Sequence, residues 1–145
     1  MIVRYCAEFR STLPEHDEDP EDLLFERFGR PVALALGEIL RRIGYEADDP
    51  MAINDHTWEF VVRAKGNPKG GYFLCKVALI DFYFVIFENP SWWDNVMKRH
   101  PAPYIEALRA LGRELASDPR FSEVHWNLLE EAVRDLPGKS HPVEG

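Results

Sequence analysis

The stretch FLCKVALIDFYFVIFENPSWW, from Phe73 to Trp93, decides the fold of this chain. Its first 15 residues carry only two charged side chains, Lys76 and Asp81. A single helix over this run would be apolar on every side and too short to cross a bilayer, which needs about 20 residues. Aromatic and β-branched residues dominate the run, and such residues favour strands. The sequence therefore predicts two paired strands, Tyr72–Ile80 and Phe82–Glu88, with Asp81 between them.

A third strand precedes this pair and completes an antiparallel meander. Residues Thr57–Arg63 alternate, with Trp58 on one side and Glu59 on the other, as a strand with two different faces does. The segment KGNPKGG that follows contains the glycine, asparagine and proline typical of a hairpin turn. The run from 72 to 88 is almost continuously apolar, so we expect both faces of its last strand to be at least partly covered.

Amphipathic helices flank the meander on both sides. Pro31 suits the first position of a helix that continues to Ile43, and Gly44 ends it. Leucines repeat at helical spacing between Pro103 and about Ala116. Shorter elements complete the prediction, and they are an N-terminal strand at Ile2–Phe9, a short helix at Trp92–Lys98, a strand at Phe121–Trp126 and a helix at Leu128–Leu136.

These elements predict one α+β domain over residues 1–145, a length that suits a single domain. We expect a single antiparallel sheet of about four to five strands in the order β-α-β-β-β-α-β-α. The helices would pack mainly on one face of it, and 31–43 and 103–116 would both lie on that face. An acidic loop at about 14–22 and a loose tail at about 137–145 would lie outside the packed core.

Composition and charge restrict the classes of partner. The formal net charge is −8, which disfavours binding to a nucleic-acid backbone and is compatible with a basic protein partner. The N-terminus lacks the pattern of a signal peptide, and no uncharged run reaches the length of a membrane span. We therefore expect a cytoplasmic protein without a membrane segment.

Motifs for catalysis and for cofactors are absent from the sequence. The five histidines do not have the spacing of a metal chelate, and Cys6 and Cys75 have no CxxC partner. Both cysteines lie within apolar runs and are predicted to be buried and inert. The sequence predicts no metal, no cofactor and no catalytic residue, and it favours a protein that is not an enzyme.

Two sets of residues are candidates for binding. The segment PEHDEDPED, residues 14–22, contains six acidic residues, and exposed tryptophans are frequent anchors of protein interfaces. The first set therefore combines acidic and indole side chains, namely Glu15, Asp17, Glu18, Asp19, Trp92 and Trp93. The alternative is a small-molecule or active-site pocket between the sheet and helix 103–116, lined by His56, Glu88 and His125.

Three segments carry a resemblance to other proteins: FGRPVA with LRRIGYE, WEFVVRAKG, and DPRFSEVHW. Together they resemble a group of small bacterial proteins of unassigned function, and they correspond to structural elements, so no functional residue is carried over. Small acidic domains of this appearance also resemble immunity proteins that neutralise a co-encoded toxin. The leading expectation is thus a non-enzymatic binding module for a basic partner such as a toxin. The chain would be a monomer, or a homodimer formed through the 72–88 hairpin.

Overall fold

The computed structural model describes residues 1–16, 28–64, 72–90 and 100–144. The predicted helix at 92–98 and the predicted turn at 65–71 lie outside these ranges. Three helices are present in the described part of the chain: α1 (Arg30–Arg42), α2 (Ala102–Ser117) and α3 (Leu129–Val133). The first two match the periodic segments of the sequence, and each has a proline in its first turn.

Nine strands form two antiparallel sheets in the described residues. The large sheet has seven strands in the order β3-β5-β6-β7-β2-β8, with β4 also paired to β5. The remaining two strands, β1 and β9, pair with each other. The strands are β1 (Ile2–Val3), β2 (Cys6–Ser11), β3 (Tyr45–Ala47), β4 (Met51–Asn54), β5 (Thr57–Ala64), β6 (Tyr72–Leu79), β7 (Tyr83–Glu88), β8 (Phe121–Asn127) and β9 (Val143–Glu144).

The prediction of one sheet with four to five strands was wrong. The structure is α+β and antiparallel, but it has a seven-stranded sheet and a separate two-stranded one. The large sheet gains β3 and β4, two short strands that pair with opposite ends of β5 and are separated by Asp48, Asp49 and Pro50. Three or four residues are too few to show a period of two, and the proline and aspartates between them resemble a loop. The predicted N-terminal strand is also divided, because β1 belongs to the second sheet and β2 to the first.

One face of the large sheet, called the inner face, packs against α1 and α2. It includes Phe60, Val77, Val85 and Phe87, all of which are buried. Side chains of α1 and α2, among them Leu36, Ile39, Leu108 and Leu111, complete the same core. The strands β6 and β7 pair in register from Leu74–Glu88 to Leu79–Tyr83, as the hairpin prediction requires.

The C-terminal residues are bound to the rest of the domain. Lys139 and Trp126 exchange backbone hydrogen bonds at 2.7 and 2.8 Å, and the Arg4 N–H donates to the Pro142 carbonyl at 2.7 Å. Val143 pairs with Val3 in the second sheet. The sequence predicts a loose tail at about 137–145, whereas residues 139–144 contact the N-terminal segment at Val3 and Arg4 and also the strand β8. The pairing with β1 could not be predicted from the local sequence, because the paired residues lie more than a hundred positions apart in the chain.

None of the helices in the described ranges is long and apolar enough to cross a membrane.

Candidate functional site

The first predicted set of binding residues is only partly within the described structure. Asp17, Glu18, Asp19, Trp92 and Trp93 lie outside it. Glu15 is described and exposed, and its carbonyl accepts a hydrogen bond from the Gly29 N–H at 2.7 Å. This contact places Glu15 at the end of the sheet where β5 begins. Burial, and to a lesser degree the Glu15 charge, raises the pKa of Tyr83 to about 12.

The three residues of the predicted pocket do not come together. His56 precedes Thr57 on β5, and His125 lies on β8, four strand positions away, or about 19 Å at the usual strand spacing. Glu88 is the last residue of β7, at the end away from His56, and its cross-strand neighbour is Leu74. Its carboxylate forms an ion pair with the Lys76 ammonium group at 2.7 Å. The prediction of a shared pocket is therefore not matched by the geometry.

The space predicted to hold that pocket is filled with side chains. Leu108 and Leu115 of α2 are fully buried, and Trp126 stacks on Phe87 with 5.8 Å between ring centroids. The Tyr104 hydroxyl donates a hydrogen bond to the Phe87 carbonyl at 2.5 Å, which ties α2 to β7. The interface between the sheet and α2 is thus part of the hydrophobic core.

The cysteines do not form a reactive site. Cys6 and Cys75 are both fully buried free thiols. Burial raises the pKa of Cys6 to about 12 and raises the pKa of Cys75 well above its usual value. A thiol that remains protonated at neutral pH is a poor nucleophile, as the sequence predicted. No group of three potential metal ligands occurs among the residues that the structure describes.

The opposite face of the large sheet, called the outer face, combines apolar and acidic side chains. Cross-strand pairing places Glu59, Lys76 and Ile86 in one row, and Ala78, Phe84 and Glu8 in the next. Val61, Leu74, Phe84 and Ile86 are half-buried, so their side chains remain partly in contact with solvent. We therefore regard the outer face as the candidate interaction surface.

Carboxylates outnumber cations on the outer face. Among the described strand residues, Glu8, Glu46, Glu59 and Glu88 lie there with the cations of Lys76, Arg10 and Arg63. Arg10 and Arg63 are already paired, with Glu123 and Asp48. The Lys76 pKa is raised, first by its hydrogen bond with Glu88 and then by the charges of Glu88 and Glu59, against the effect of burial. The surface therefore has an apolar centre and a net negative charge, which favours a positively charged partner.

One end of the outer face contains an open cleft of about 270 Å³. Glu8 and Arg10 of β2 face it from one side, and Glu123 and His125 of β8 face it from the other; Phe9 and Phe82 complete the wall. His125 is the member of the predicted pocket that the cleft includes. The other polar residues were not among the candidates, because only the pairing of β2 with β8 brings residues 8–10 and 123–125 together.

A β-bulge shapes the wall of this cleft. Glu8 pairs with His125 and Arg10 with Ser122, so two residues of β8 lie opposite Phe9 alone. Within the bulge, Glu123 has a left-handed backbone with φ of 54°. This conformation costs about 1–3 kcal/mol for a residue with a Cβ. The bulge directs the Glu123 carboxylate to Arg10, where it accepts from Nε at 2.7 Å.

Comparisons of the chain with protein-family models, with curated proteins and with solved structures find no match.

Proposed function

We propose that this protein is a non-enzymatic binding module whose outer face engages a basic partner protein. One observation carries the proposal: half-exposed apolar side chains lie on the same sheet face as carboxylates that exceed the cations. The overall charge of −8 would accelerate the encounter with a basic partner. An immunity protein that neutralises a basic toxin would be one member of this class.

The apolar residues supply the part of the surface that would exclude water from the complex. Phe84 and Ile86 are neighbours on the outer face of β7, Ala78 of β6 pairs with Phe84, and Leu74 lies diagonally across from Ile86. These four side chains form the apolar centre. Interfaces commonly have such an apolar centre and a polar rim. The carboxylates of Glu59 and Glu88 flank this centre and would form part of the rim.

A pull-down from the native host, followed by a binding measurement, tests the proposal. The tagged chain should retain a basic protein, and the product of a neighbouring gene is the first to examine. The double variant Glu59→Gln with Glu88→Gln should weaken binding of that protein by roughly tenfold at low salt, because rim charges contribute to association. Binding of the wild type should also weaken as salt increases.

The control changes net charge equally on the other side of the molecule. Glu38 of α1 and Glu106 of α2 are exposed on the helical layer, and the double variant Glu38→Gln with Glu106→Gln should bind within about twofold of wild type. Equal weakening by both double variants would contradict a specific role for the outer face. If the tagged chain retained no protein, the proposal of a basic partner would be wrong. If light scattering showed a concentration-dependent dimer that Ile86→Lys abolishes, the partner at the outer face would be a second copy of the chain.

A further inference from the structure

The cleft beside the β8 bulge contains a carboxylate without a partner. Glu8 is half-buried, and no described residue forms an ion pair or a hydrogen bond with its carboxylate. Burial is the main reason that the Glu8 pKa is raised; the Asp135 charge raises it further, and His125 acts in the opposite direction. A partly dehydrated, unpaired carboxylate is a costly feature, and a cation would stabilise it.

The cation nearest along β2 is already engaged. Arg10 binds Glu123 at 2.7 Å, and both side chains are more than half exposed. The bulge holds Glu123 in position for this contact and thereby keeps a neutral ion pair at the rim of the cleft. Glu8 is consequently left as the carboxylate of the cleft that forms no ion pair with a described residue.

An aromatic ring lies in the same cleft. Phe82 is half-exposed and lines the cleft together with Glu8 and Phe9. Faces of aromatic rings attract cations, and a planar guanidinium can stack on a ring while it donates hydrogen bonds to a carboxylate. An ammonium group lacks the planar surface for this combination. The cleft therefore has the two groups that a guanidinium requires.

We propose that this cleft receives the guanidinium of an arginine side chain, which donates to Glu8 and stacks on Phe82. The inference rests on the proposed function, because the arginine would be supplied by the basic partner. In that complex the cleft would be an anchor site at one end of the outer face, next to the apolar centre at Phe84. Arginine is among the residues enriched at such anchor sites.

A titration with a small probe tests the cleft without the partner. N-acetyl-arginine-N′-methylamide is added to the ¹⁵N-labelled chain up to about 50 mM, and amide shifts are followed by NMR. Saturable shifts are expected at Glu8, Arg10 and His125. The citrulline counterpart, which has the same shape without the charge, should give shifts that do not saturate, and the lysine counterpart should bind several-fold more weakly than arginine.

Variants distinguish this cleft from general attraction to an acidic protein. Glu8→Gln should weaken probe binding at least roughly tenfold, and Phe82→Leu by a few-fold, since each removes one of the two contacts. Glu59→Gln removes the same charge elsewhere on the outer face and should leave probe binding unchanged. The amide spectrum of each variant shows directly whether it remains folded.

The outcomes separate the two proposals. Absence of saturable shifts, equal shifts with citrulline, or unchanged affinity in Glu8→Gln would overturn the arginine cleft and leave the outer-face proposal intact. Saturable arginine binding in a chain that retains no basic protein would refute the proposed function, and the cleft would then be a site for a free guanidinium compound.

Discussion

Two glycines inside helices have different surroundings, although both are buried. A Cβ added at Gly112 of α2 would lie 2.8 Å from Cδ and 3.1 Å from Cγ of Pro142. At Gly37 of α1 the nearest atoms are the Arg41 Nη2 at 3.7 Å and the Ala47 Cβ at 3.9 Å. Gly112 therefore creates the space in which the C-terminal segment docks, whereas Gly37 has room for a methyl group.

This contrast predicts opposite effects of the same substitution. Gly37→Ala should stabilise the protein by about 0.5–1 kcal/mol, because alanine has the higher helix propensity. Gly112→Ala should be destabilising despite that gain, since the ring of Pro142 must move and the contacts of residues 139–144 weaken. Urea denaturation of both variants measures the difference. If Gly112→Ala were as stabilising as Gly37→Ala, the docking of Pro142 against α2 would be wrong.

At the level of elements, β1, α3 and β9 meet at one buried arginine. Arg4 is 6% exposed; its Nε donates to Glu131 at 3.0 Å and its Nη1 to Glu144 at 2.6 Å. Glu131 also accepts from the Leu128 N–H at 2.8 Å, so the carboxylate fixes the start of α3 as well. These contacts connect the N-terminal and C-terminal strands of the second sheet to the helix between β8 and β9.

Arg4→Met should cost about 1–3 kcal/mol in the free energy of unfolding. The methionine fills the buried space but leaves two carboxylates without their cation. These carboxylates are partly hydrated, which keeps the cost below that of a fully buried pair. Arg42→Met, which breaks the exposed Arg42–Glu114 pair at 2.8 Å, should cost less than about 1 kcal/mol. Urea denaturation at pH 7 compares the two, and equal losses would contradict the role of Arg4.

The same substitution should change the pH dependence of stability. The pKa of Glu131 is lowered first by the Leu128 N–H and then by Arg4, and the pKa of Glu144 is lowered by Arg4. Because both folded-state values lie below 4.5, their contribution is present above that pH and is lost as the pH falls through the lowered values. Arg4→Met should therefore show a smaller loss of stability between about pH 5 and 3 than wild type.

At the scale of the whole molecule, the two cysteines report on cooperative unfolding. Cys6 lies on β2 and Cys75 on β6, with β7 between them, so they occupy the interior of the large sheet. Both thiols are fully buried and their pKa values are raised. Cys75 belongs to the core on the inner face, and Cys6, which pairs with Ile86, is covered on the outer face. Exposure of either one requires loss of tertiary packing over the sheet, which is expected when the domain unfolds.

Native protein should consequently resist thiol labelling at pH 8. Both cysteines should react together, with one urea midpoint that coincides with the midpoint measured by tryptophan fluorescence. Mass spectrometry of the labelled protein counts modified thiols. Fast labelling of Cys6 alone in the absence of urea would show that the packing over Cys6 on the outer face opens independently, and would contradict a single cooperative transition.

Only part of the candidate site could be predicted from the sequence. The expectation that Trp58 and Glu59 lie on opposite faces of one strand agrees with the structure, because alternation along one strand is local. Neither the cleft nor its unpaired Glu8 could be predicted. Glu8 and His125 are neighbours only through the β2–β8 pairing, and nothing in either segment specifies the other as its partner.

Local physical chemistry was sufficient for α1, α2 and the β6–β7 hairpin, since helical and strand periods require only neighbouring residues and the turns between them. The extent of the sheet, the bulge at Glu123 and the docking of residues 139–144 depend instead on partners distant in sequence. Short strands such as β3 and β9 bury too little by themselves to have a readable pattern, and they are stable because longer elements are already packed beside them. The shape of the outer face and of its cleft follows from that packing.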